Sequence, residues 1–561
     1  MPGSSAVNTN LVKFFGIALF FAPAWGLLWH RVNFNPDEWA ASWAFGIIRH
    51  HIDDGHPYQA AIYLSIYLIG LAGILIIPFL RGSIVRSTAV VILMAGWFVE
   101  HFFLEMNGLF TDRSLISLLW DEWHLAGDAV SAYRVPLLHN LLLALGLLAI
   151  FLLPPRRPLV LSSYWAAVPT SALLLTGVLV NYSKTMQVFP VPYAITANAA
   201  ALGLGIGSNL PFGYFTAKNI VLNRPIDAPF EPAHRFKKII MVMDESVHGG
   251  FLSINNPALD TTPFLKNEAR LINFGIAISG GNCSSISRTI FRYGIRAHDL
   301  PNAWDHGTKN PLIWQYASRA GYRTIHIDGL AGPFKFHNGF TSKETSLIDT
   351  QIGVLDDPAY ARDGIIAERA LSLLKEDGPM FLLIDKHGLH FPYELRHPPS
   401  DRAKTTIEHY MLGITWSIDE FFRRLMPKLD LSDALLIYTS DHGQQFNGGQ
   451  PHCSVNQKGW GIMREISRDE ATVPLFAATG NPVFELHLRQ SAKAGFNTMS
   501  HFELFPTLLI AMGYDERWVR DRYGPSMLDG PLDRTRSFLV GQPYINPAMI
   551  SADSEHARGE N

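Results

Sequence analysis

The sequence predicts an α-helical transmembrane domain followed by an α/β domain with a mostly parallel sheet that is sandwiched by helices. Three observations predict this. Long apolar runs are concentrated before about residue 181, short strand-like apolar runs alternate with helical stretches after about residue 235, and several short runs end in acidic residues. With 561 residues, the chain is too long for one compact domain.

Five apolar runs occupy the first third of the chain, and most approach the ~20 residues that an α-helix needs to cross a bilayer. The runs are Leu11–Trp29, Ala60–Leu80, Ala89–Leu104, Val135–Leu153 and Leu159–Val180. The third is the weakest, because Glu100, His101 and Glu105 crowd its end, and a buried or membrane-surface helix is its alternative. We therefore predict a five-helix transmembrane domain over residues 1–181.

Charge in the short connections predicts the orientation of these helices. The segment RGSIVR follows the second run and PPRRP follows the fourth, and both are basic and free of acids. The longer connections mix acids and bases. The positive-inside rule then places the arginine loops in the cytoplasm and everything after the fifth span in a periplasm-like space.

The remainder divides into three parts. Residues 182–234 are apolar but interrupted by glycine and proline, which favours a bridging segment on the membrane surface over a sixth span. Residues 235–551 are predicted to form the α/β domain, and the polar residues 552–561 are predicted to be a disordered tail. The runs expected as strands are KKIIMVMD, YRTIHID, PMFLLID, DALLIYTSD and VPLFAA.

Charge and cysteine content exclude other classes of protein. The formal net charge of −3 gives no electrostatic basis for a nucleic-acid partner. Cys283 and Cys453 are the two cysteines, too few for a thiolate metal site or a disulfide scaffold. One disulfide between their loops and two independent buried thiols are both possible.

Acidic and histidine residues at strand ends suggest a metal site. Glu245 follows one predicted strand, and Asp441 with His442 follows another, which gives two oxygen ligands and one nitrogen ligand. This set suits zinc, with manganese as a second possibility. The alternatives are helix N-caps for the two acids and a surface histidine. Asp244 precedes Glu245 and could compete with it as the ligand.

The segment GGNCSSISRTIF places Ser284 between a glycine-containing loop and a run that predicts a helix. A hydroxyl at such a junction lies near free backbone N–H groups and the positive end of the helix dipole, which together stabilise a phosphoryl group. The alternative is that Ser284, Ser285 and Ser287 only cap the helix.

In combination, MVMDESVHGG, the serine loop, HGLHFPYELRHP and YTSDHGQQFNGG resemble the phosphoethanolamine transferases of Gram-negative inner membranes, within the alkaline phosphatase and sulfatase superfamily. The resemblance covers nearly the whole chain, because that family also has five spans before a periplasmic catalytic domain. It implies an alkaline-phosphatase-like fold and a multi-pass protein of the bacterial inner membrane. The implied activity is transfer of phosphoethanolamine from a phospholipid, phosphatidylethanolamine, to lipid A or an envelope glycan.

The resemblance also implies roles for single residues. Ser284 falls on the nucleophile and on a metal ligand, together with three other metal ligands: Glu245, Asp441 and His442. His390, His452 and Arg288 fall on substrate-binding positions. Ser284 replaces the usual threonine, Asp244 replaces the usual glycine, and Gln444 and Gln445 stand where the family has a carboxylate-containing pair.

Several alternatives remain open at this stage. A membrane-anchored phosphodiesterase or sulfatase of the same superfamily would use the same ligands, and a phosphoglycerol transferase would use a different lipid donor. The absence of a carboxylate at Gln444 and Gln445 weakens the ethanolamine assignment, since an anion there could meet the donor's ammonium group. A non-catalytic membrane scaffold is a further alternative, against which the retention of all ligand types argues.

Overall fold

The structure is a computed structural model that describes twelve segments of the chain and a few isolated positions between them. The segments are 9–32, 57–107, 134–157, 159–168, 226–231, 236–300, 310–330, 342–356, 358–446, 466–530, 536–542 and 545–551. The chain divides into two compact units. The first contains the described residues up to 168, and the second contains those from 226 onward.

Four long helices form the described part of the first unit, and they coincide with the first four predicted apolar runs. They are α1 (Thr9–Val32), α2 (Pro57–Ile76), α3 (Ser83–Asn107) and α4 (Arg134–Leu152). Of the fifth run, residues 159–168 are described, with a short 3₁₀ turn at Ser163–Ala166. The rest of that run lies outside the described residues.

One helix in the described part of the chain, α4, is both long and apolar enough to span a membrane. Thr9–Phe20 and Ser83–Val99 are shorter apolar stretches. On α4, Val135, Leu138 and Leu142 are each more than half exposed. A continuous apolar surface of this kind suits hydrocarbon better than water. The existence of five spans stays a prediction.

Several buried polar groups of the first unit lie within hydrogen-bonding distance of backbone carbonyls. Trp97 Nε1 donates to the carbonyl of Phe20 at 2.9 Å, and Lys13 Nζ donates to that of Phe151 at 2.8 Å. His101, which crowds the end of the third run, lies with Nδ1 2.9 Å from the carbonyl oxygen of Trp97. Such pairing is required wherever water is excluded.

A seven-stranded sheet forms the centre of the second unit, and its strand order is β2-β7-β6-β1-β5-β3-β4. The strands are β1 (Lys238–Asp244), β2 (Ile272–Ile278), β3 (Arg323–Asp328), β4 (Thr350–Gly353), β5 (Met380–Asp385), β6 (Ala434–Ser440) and β7 (Thr472–Thr479). All five runs expected as strands are strands, and the sequence did not indicate β2 and β4.

The sheet is mostly parallel, as predicted. β1 pairs in parallel with β5 and β6, and β3 pairs in parallel with β4 and β5. β7 is the exception, because it runs antiparallel to both of its neighbours, β2 and β6. The carboxyl ends of β1, β5 and β6 therefore lie at the same edge as the amino end of β7.

Helices cover both faces of this sheet, and each face has its own hydrophobic core. Along β1, Ile239, Met241 and Met243 pack into one core, whereas Ile240 and Val242 pack into the other. Burial on both faces explains why the run is continuously apolar. The helices are α5 (Pro263–Asn267), α6 (Ser284–Tyr293), α7 (Ile313–Arg319), α8 (Ser342–Thr345), α9 (Arg362–Leu374), α10 (Thr406–Ile414), α11 (Glu420–Leu425), α12 (Pro482–Ala494), α13 (Leu504–Ala511) and α14 (Glu516–Tyr523).

A second, two-stranded antiparallel sheet joins β8 (Ser537–Gln542) to β9 (Ile545–Ser551). It bears on the site because Leu539 on β8 exchanges backbone hydrogen bonds with the loop before α6: its N–H donates to Gly280, and its carbonyl accepts from Asn282. The predicted bridging segment is described only over 226–231, and the predicted tail 552–561 lies outside the described residues.

Candidate active site

The end of β1 separates two neighbouring carboxylates. Successive residues of a strand point to opposite faces, and Asp244 points toward Lys386, whose Nζ lies 2.5 Å from Asp244 Oδ2. Tyr438 donates its hydroxyl to the same oxygen at 2.9 Å. Glu245 points the other way, toward His442. The group of described residues that could hold a metal ion includes Glu245 and does not include Asp244.

The end of β6 supplies the second carboxylate and the imidazole. Asp441 Oδ1 accepts the backbone N–H of Ser246 at 3.1 Å, which ties the ends of β1 and β6 together. His442 Nδ1 lies 2.8 Å from the carbonyl oxygen of Gly443. Because a carbonyl oxygen only accepts, Nδ1 carries a hydrogen, and Nε2 faces Glu245 Oε1 at 3.4 Å.

Ser284 is the first residue of α6, as the sequence predicted for a hydroxyl at a loop-to-helix junction. Its Oγ lies 3.1 Å from His442 Nε2 and 3.3 Å from Glu245 Oε1. Ser284 is partly exposed, whereas Glu245 and His442 are buried. A group arriving from outside would therefore meet the hydroxyl before it met the ligands.

Ser287, one turn further along α6, does not face this cluster. Its Oγ lies 3.0 Å from His501 Nδ1, and the other ring nitrogen of His501 lies 3.1 Å from Thr439 Oγ1 on β6. These contacts fasten the first turn of α6 to the sheet. Of the two serines, Ser284 and not Ser287 contacts the candidate ligands.

Arg288 lies behind the carboxylates and is 1% exposed. Its guanidinium pairs with Glu245 Oε2 at 3.0 Å, with Asp441 Oδ2 at 3.0 Å and with Asp385 Oδ1 at 2.5 Å. Asp385 in turn lies 2.9 Å from His326 Nε2. The guanidinium of Arg288 thus contacts three carboxylates. Its contact with a substrate stays a prediction.

Three side chains form a group that could hold a divalent cation, and the hydroxyl of Ser284 lies beside two of them. One ligand atom from each of Glu245, Asp441 and His442 lies within 4.8 Å of the others, and all three residues are buried. Ser284 Oγ completes the set at hydrogen-bonding distance. Two carboxylates, an imidazole and a hydroxyl are a donor set that zinc accepts in tetrahedral geometry.

The electrostatics of the cluster favour added positive charge. Burial alone would raise the pKa of Glu245, but the hydrogen bond from His442 and the charge of Arg288 hold it well below its usual value. Burial and the neighbouring charge of Glu245 raise the pKa of Asp441 to about 6. Burial would lower the pKa of His442, but the two carboxylates raise it to about 9. A cation at this point replaces a proton.

The predicted substrate histidines can be placed only in part. His390 is partly exposed, with Nδ1 2.8 Å from the carbonyl oxygen of Phe391. It lies close enough to Glu245 for its charge to help lower the pKa of that carboxyl. His452 lies outside the described residues.

One of the two cysteines, Cys283, lies within the described residues. Cys283 is buried and disulfide-bonded, immediately before Ser284. The chain contains one other cysteine, Cys453, which lies outside the described residues. A disulfide-bonded sulfur is not available as a nucleophile, which leaves Ser284 as the nucleophile candidate in this loop.

The sequence did not indicate two polar residues near the site, Asn282 and Glu470, whereas it did indicate Asp385 as a polar residue at a strand end. Asp385 ends β5, so the strand-end signal that found Glu245 applied to it as well. Glu470 precedes β7, and since β7 is antiparallel, its beginning and not its end lies at the site. No local sequence pattern shows that reversal.

One known family is similar to most of the second unit. The sulfatase family model matches residues 237–514. No curated protein matches the chain in sequence.

Solved structures resemble the chain in fold. The integral membrane protein lipooligosaccharide phosphoethanolamine transferase A (EptA) of Neisseria meningitidis aligns over 92% of this chain and 96% of its own, with a TM-score of 0.54 and 16% identity. The C-terminal periplasmic domain of EptC from Escherichia coli aligns over 60% of this chain and 97% of its own, with a TM-score of 0.47 and 18% identity. A zinc complex of that domain aligns with the same coverage and TM-score at 19% identity.

Proposed function

We propose that this chain is a membrane enzyme that moves phosphoethanolamine from a phospholipid to lipid A or a glycan of the cell envelope, and the match of the sulfatase family model to residues 237–514 supports this proposal. The observation that carries the proposal is the position of Ser284 Oγ, 3.1 Å from His442 Nε2 and 3.3 Å from Glu245 Oε1. A hydroxyl in that position is the attacking group of a double displacement.

The first displacement forms one bond and breaks another. Ser284 Oγ attacks the phosphorus of the donor, its proton passes to solvent, and the bond from phosphorus to the diacylglycerol oxygen breaks. Diacylglycerol departs with a proton taken from solvent. The phosphoethanolamine group remains as a phosphodiester on Ser284. An acceptor hydroxyl or phosphate oxygen then attacks the same phosphorus, and a hydroxyl acceptor gives its proton to solvent. The bond from phosphorus to Ser284 Oγ breaks, and Oγ takes a proton from solvent.

Glu245, Asp441, His442 and Ser284 would hold the metal, which we propose is zinc, with manganese as the alternative. When bound, the ion lowers the pKa of a coordinated hydroxyl and polarises a phosphoryl oxygen. The protein's own contribution is orientation. His442 keeps its Nδ1–H on the carbonyl of Gly443, so its Nε2 stays directed at the site.

Two histidines are proposed to share the negative charge of the transferred phosphoryl group. We assign His390 and His452 to the phosphoryl oxygens, as N–H donors that strengthen as charge develops there. The partial exposure of His390 and its influence on the pKa of Glu245 support this placement.

The first unit fits the same function, because a lipid donor must be presented from a membrane. The exposed apolar surface of α4 supports an integral membrane protein. Together with the arginine-rich connections, it supports a multi-pass protein of a bacterial inner membrane with the catalytic domain in the periplasm.

A hydrolase of the sulfatase family is the second candidate, favoured by the match to that family model. The same cluster would then pass the intermediate on Ser284 to water. The two functions differ in one measurable respect, since a transferase forms its product only with an acceptor present. A phosphoglycerol transferase differs instead in its donor, phosphatidylglycerol.

The deciding experiment is intact mass spectrometry of the zinc-loaded full-length protein after incubation with each lipid in detergent. We expect a phosphoethanolamine adduct on Ser284 with phosphatidylethanolamine and none in Ser284→Ala. A phosphoglycerol adduct would instead assign phosphatidylglycerol as donor. The absence of an adduct with either lipid, in protein that retains its metal, would contradict the covalent transferase.

A further inference from the structure

Glu470 is a buried carboxylate at the catalytic edge of the sheet that none of the proposed chemistry uses. It is 0% exposed and lies two residues before β7, on the segment that the reversed direction of β7 brings to this edge. It is not among the described residues that could together hold a metal ion. An ionised group buried this deeply needs strong hydrogen-bond donors.

One of its oxygens holds the loop of the nucleophile. Asn282 Nδ2 donates to Glu470 Oε2 at 2.9 Å, and Asn282 lies two residues before Ser284. The backbone repeats the contact, because the N–H of Ser279 donates to the carbonyl of Ala471 at 2.8 Å. The start of α6 is therefore attached to the segment that carries Glu470.

Its other oxygen holds the loop of the metal ligands. Gln445 Nε2 donates to Glu470 Oε1 at 3.4 Å, and Gln445 lies three residues after His442. The N–H of Gly443 donates to the carbonyl of Glu470 at 2.8 Å. A Cβ atom at Gly443 would lie 2.1 Å from the carbonyl oxygen of Asp469, so the two backbones are in close contact.

From these contacts we propose that Glu470 is a positioning residue that sets the separation of Ser284 from His442, with one carboxylate oxygen on each loop. It also accounts for the amide at Gln445, because the carboxylate is supplied by a distant segment and Gln445 is the donor that meets it. The effect of Glu470 on turnover rests on the proposed function. Its effect on the separation of Ser284 from His442 does not.

The geometry can be measured without any substrate. Cobalt substituted for zinc has visible absorption bands that report the number and arrangement of its ligands, and Ser284→Ala gives the spectrum expected when the serine ligand is lost. We expect Glu470→Ala to shift the bands in the direction of Ser284→Ala while one cobalt per chain remains bound. Glu344→Gln is the matched control, because Glu344 is also a buried and paired carboxylate, with Arg292 and Trp314 as its partners, and it is not among the described residues that could together hold a metal ion. It should leave the spectrum unchanged.

A paired substitution tests the hydrogen bonds directly. In Glu470→Gln with Gln445→Glu, the new Gln side chain can accept from Asn282 through its oxygen and donate to position 445 through its nitrogen. We expect Glu470→Gln alone to lower kcat about 10- to 100-fold, the usual effect of losing a partner of a metal-site residue. KM should change little, and the double variant should recover most of the rate and the wild-type cobalt spectrum.

The experiments distinguish the positioning role of Glu470 from the proposed transferase function. A Glu470→Ala spectrum identical to wild type and distinct from Ser284→Ala would overturn the positioning role, as would a double variant no better than Glu470→Gln. If Glu470→Ala does not fold, Glu470→Gln and the double variant decide by the same spectrum. If neither lipid reacts with wild type, the proposed function fails, and the spectra alone still decide the role of Glu470.

Discussion

Ser284 Oγ lies 3.1 Å from His442 Nε2, although the two residues are 158 positions apart in the sequence. The start of α6 and the end of β6 meet there because the loop before α6 is fastened to β8 and to the segment before β7. The hydroxyl is thereby held against buried ligands and yet stays partly exposed, which is the arrangement a nucleophile requires.

Removal of the hydroxyl should abolish covalent chemistry without emptying the site. We expect Ser284→Ala to reduce kcat at least about 1,000-fold and to leave a residual rate from metal and binding alone. Zinc measured by mass spectrometry should stay near one per chain, since Glu245, Asp441 and His442 remain. A variant that retains turnover above a tenth of wild type would exclude Ser284 as nucleophile.

The two neighbouring carboxylates at the end of β1 should behave differently. Glu245→Ala, like Asp441→Ala and His442→Ala, should lose most of the bound zinc together with activity, because each removes a ligand atom. Each substitution should lower the thermal stability of the zinc-loaded protein, and it should have far less effect on the stability of the protein in chelator. Zinc loss from none of the three would show that the ion binds elsewhere.

Asp244→Ala should retain zinc and lose stability instead. It leaves Lys386 buried without its closest carboxylate, and breaking a buried ion pair costs about 3–5 kcal/mol of unfolding free energy. Urea unfolding of the chelator-treated protein measures this cost, and the conservative Asp244→Asn should recover part of it. If Asp244→Ala loses zinc while Glu245→Ala retains it, the assignment of the strand end is reversed.

The disulfide at Cys283 should involve Cys453. Unreduced, denatured wild type should show no titratable thiol, and Cys453→Ser should show one. The substitution should also loosen the loop before α6, so zinc should exchange faster than in wild type. Two thiols in unreduced wild type would eliminate the bridge.

The orientation of the chain is testable with fusions. A reporter active only in the cytoplasm should work after Arg86 or Arg157 and fail after Pro232, because the positive-inside rule keeps the arginine connections in the cytoplasm. Matched expression of each fusion by immunoblot is the control. Activity after Pro232 would place the catalytic unit in the cytoplasm.

Part of this site was readable from the sequence because strand ends and helix starts carry local signals. Glu245, Asp441 and His442 follow apolar runs, and Ser284 precedes one, so the edge of a parallel sheet brings them together. The choice between Asp244 and Glu245 was not readable. A strand buried on both faces has no polar side that would show which residue points where.

Glu470 was missed for a different physical reason. The apolar run after Glu470, which forms β7, looks like the runs of the other strands. The direction in which a strand enters a sheet depends on its neighbours and not on its own residues. Arg288 was indicated by the family resemblance, but its burial beneath three carboxylates depends on the packing of α6 against β1, β5 and β6. Such long-range relations leave no local pattern.

The separation of Glu245 from Asp441 along the chain has a consequence for how the enzyme acquires its ion. Strand β6 must be inserted next to β1 before the carboxylates can meet, so a growing or unfolded chain has no complete binding site. A chain that crosses a membrane unfolded therefore carries no ion with it. The proposed metal would be taken from the compartment in which folding finishes, and the supply there would decide which ion the protein receives.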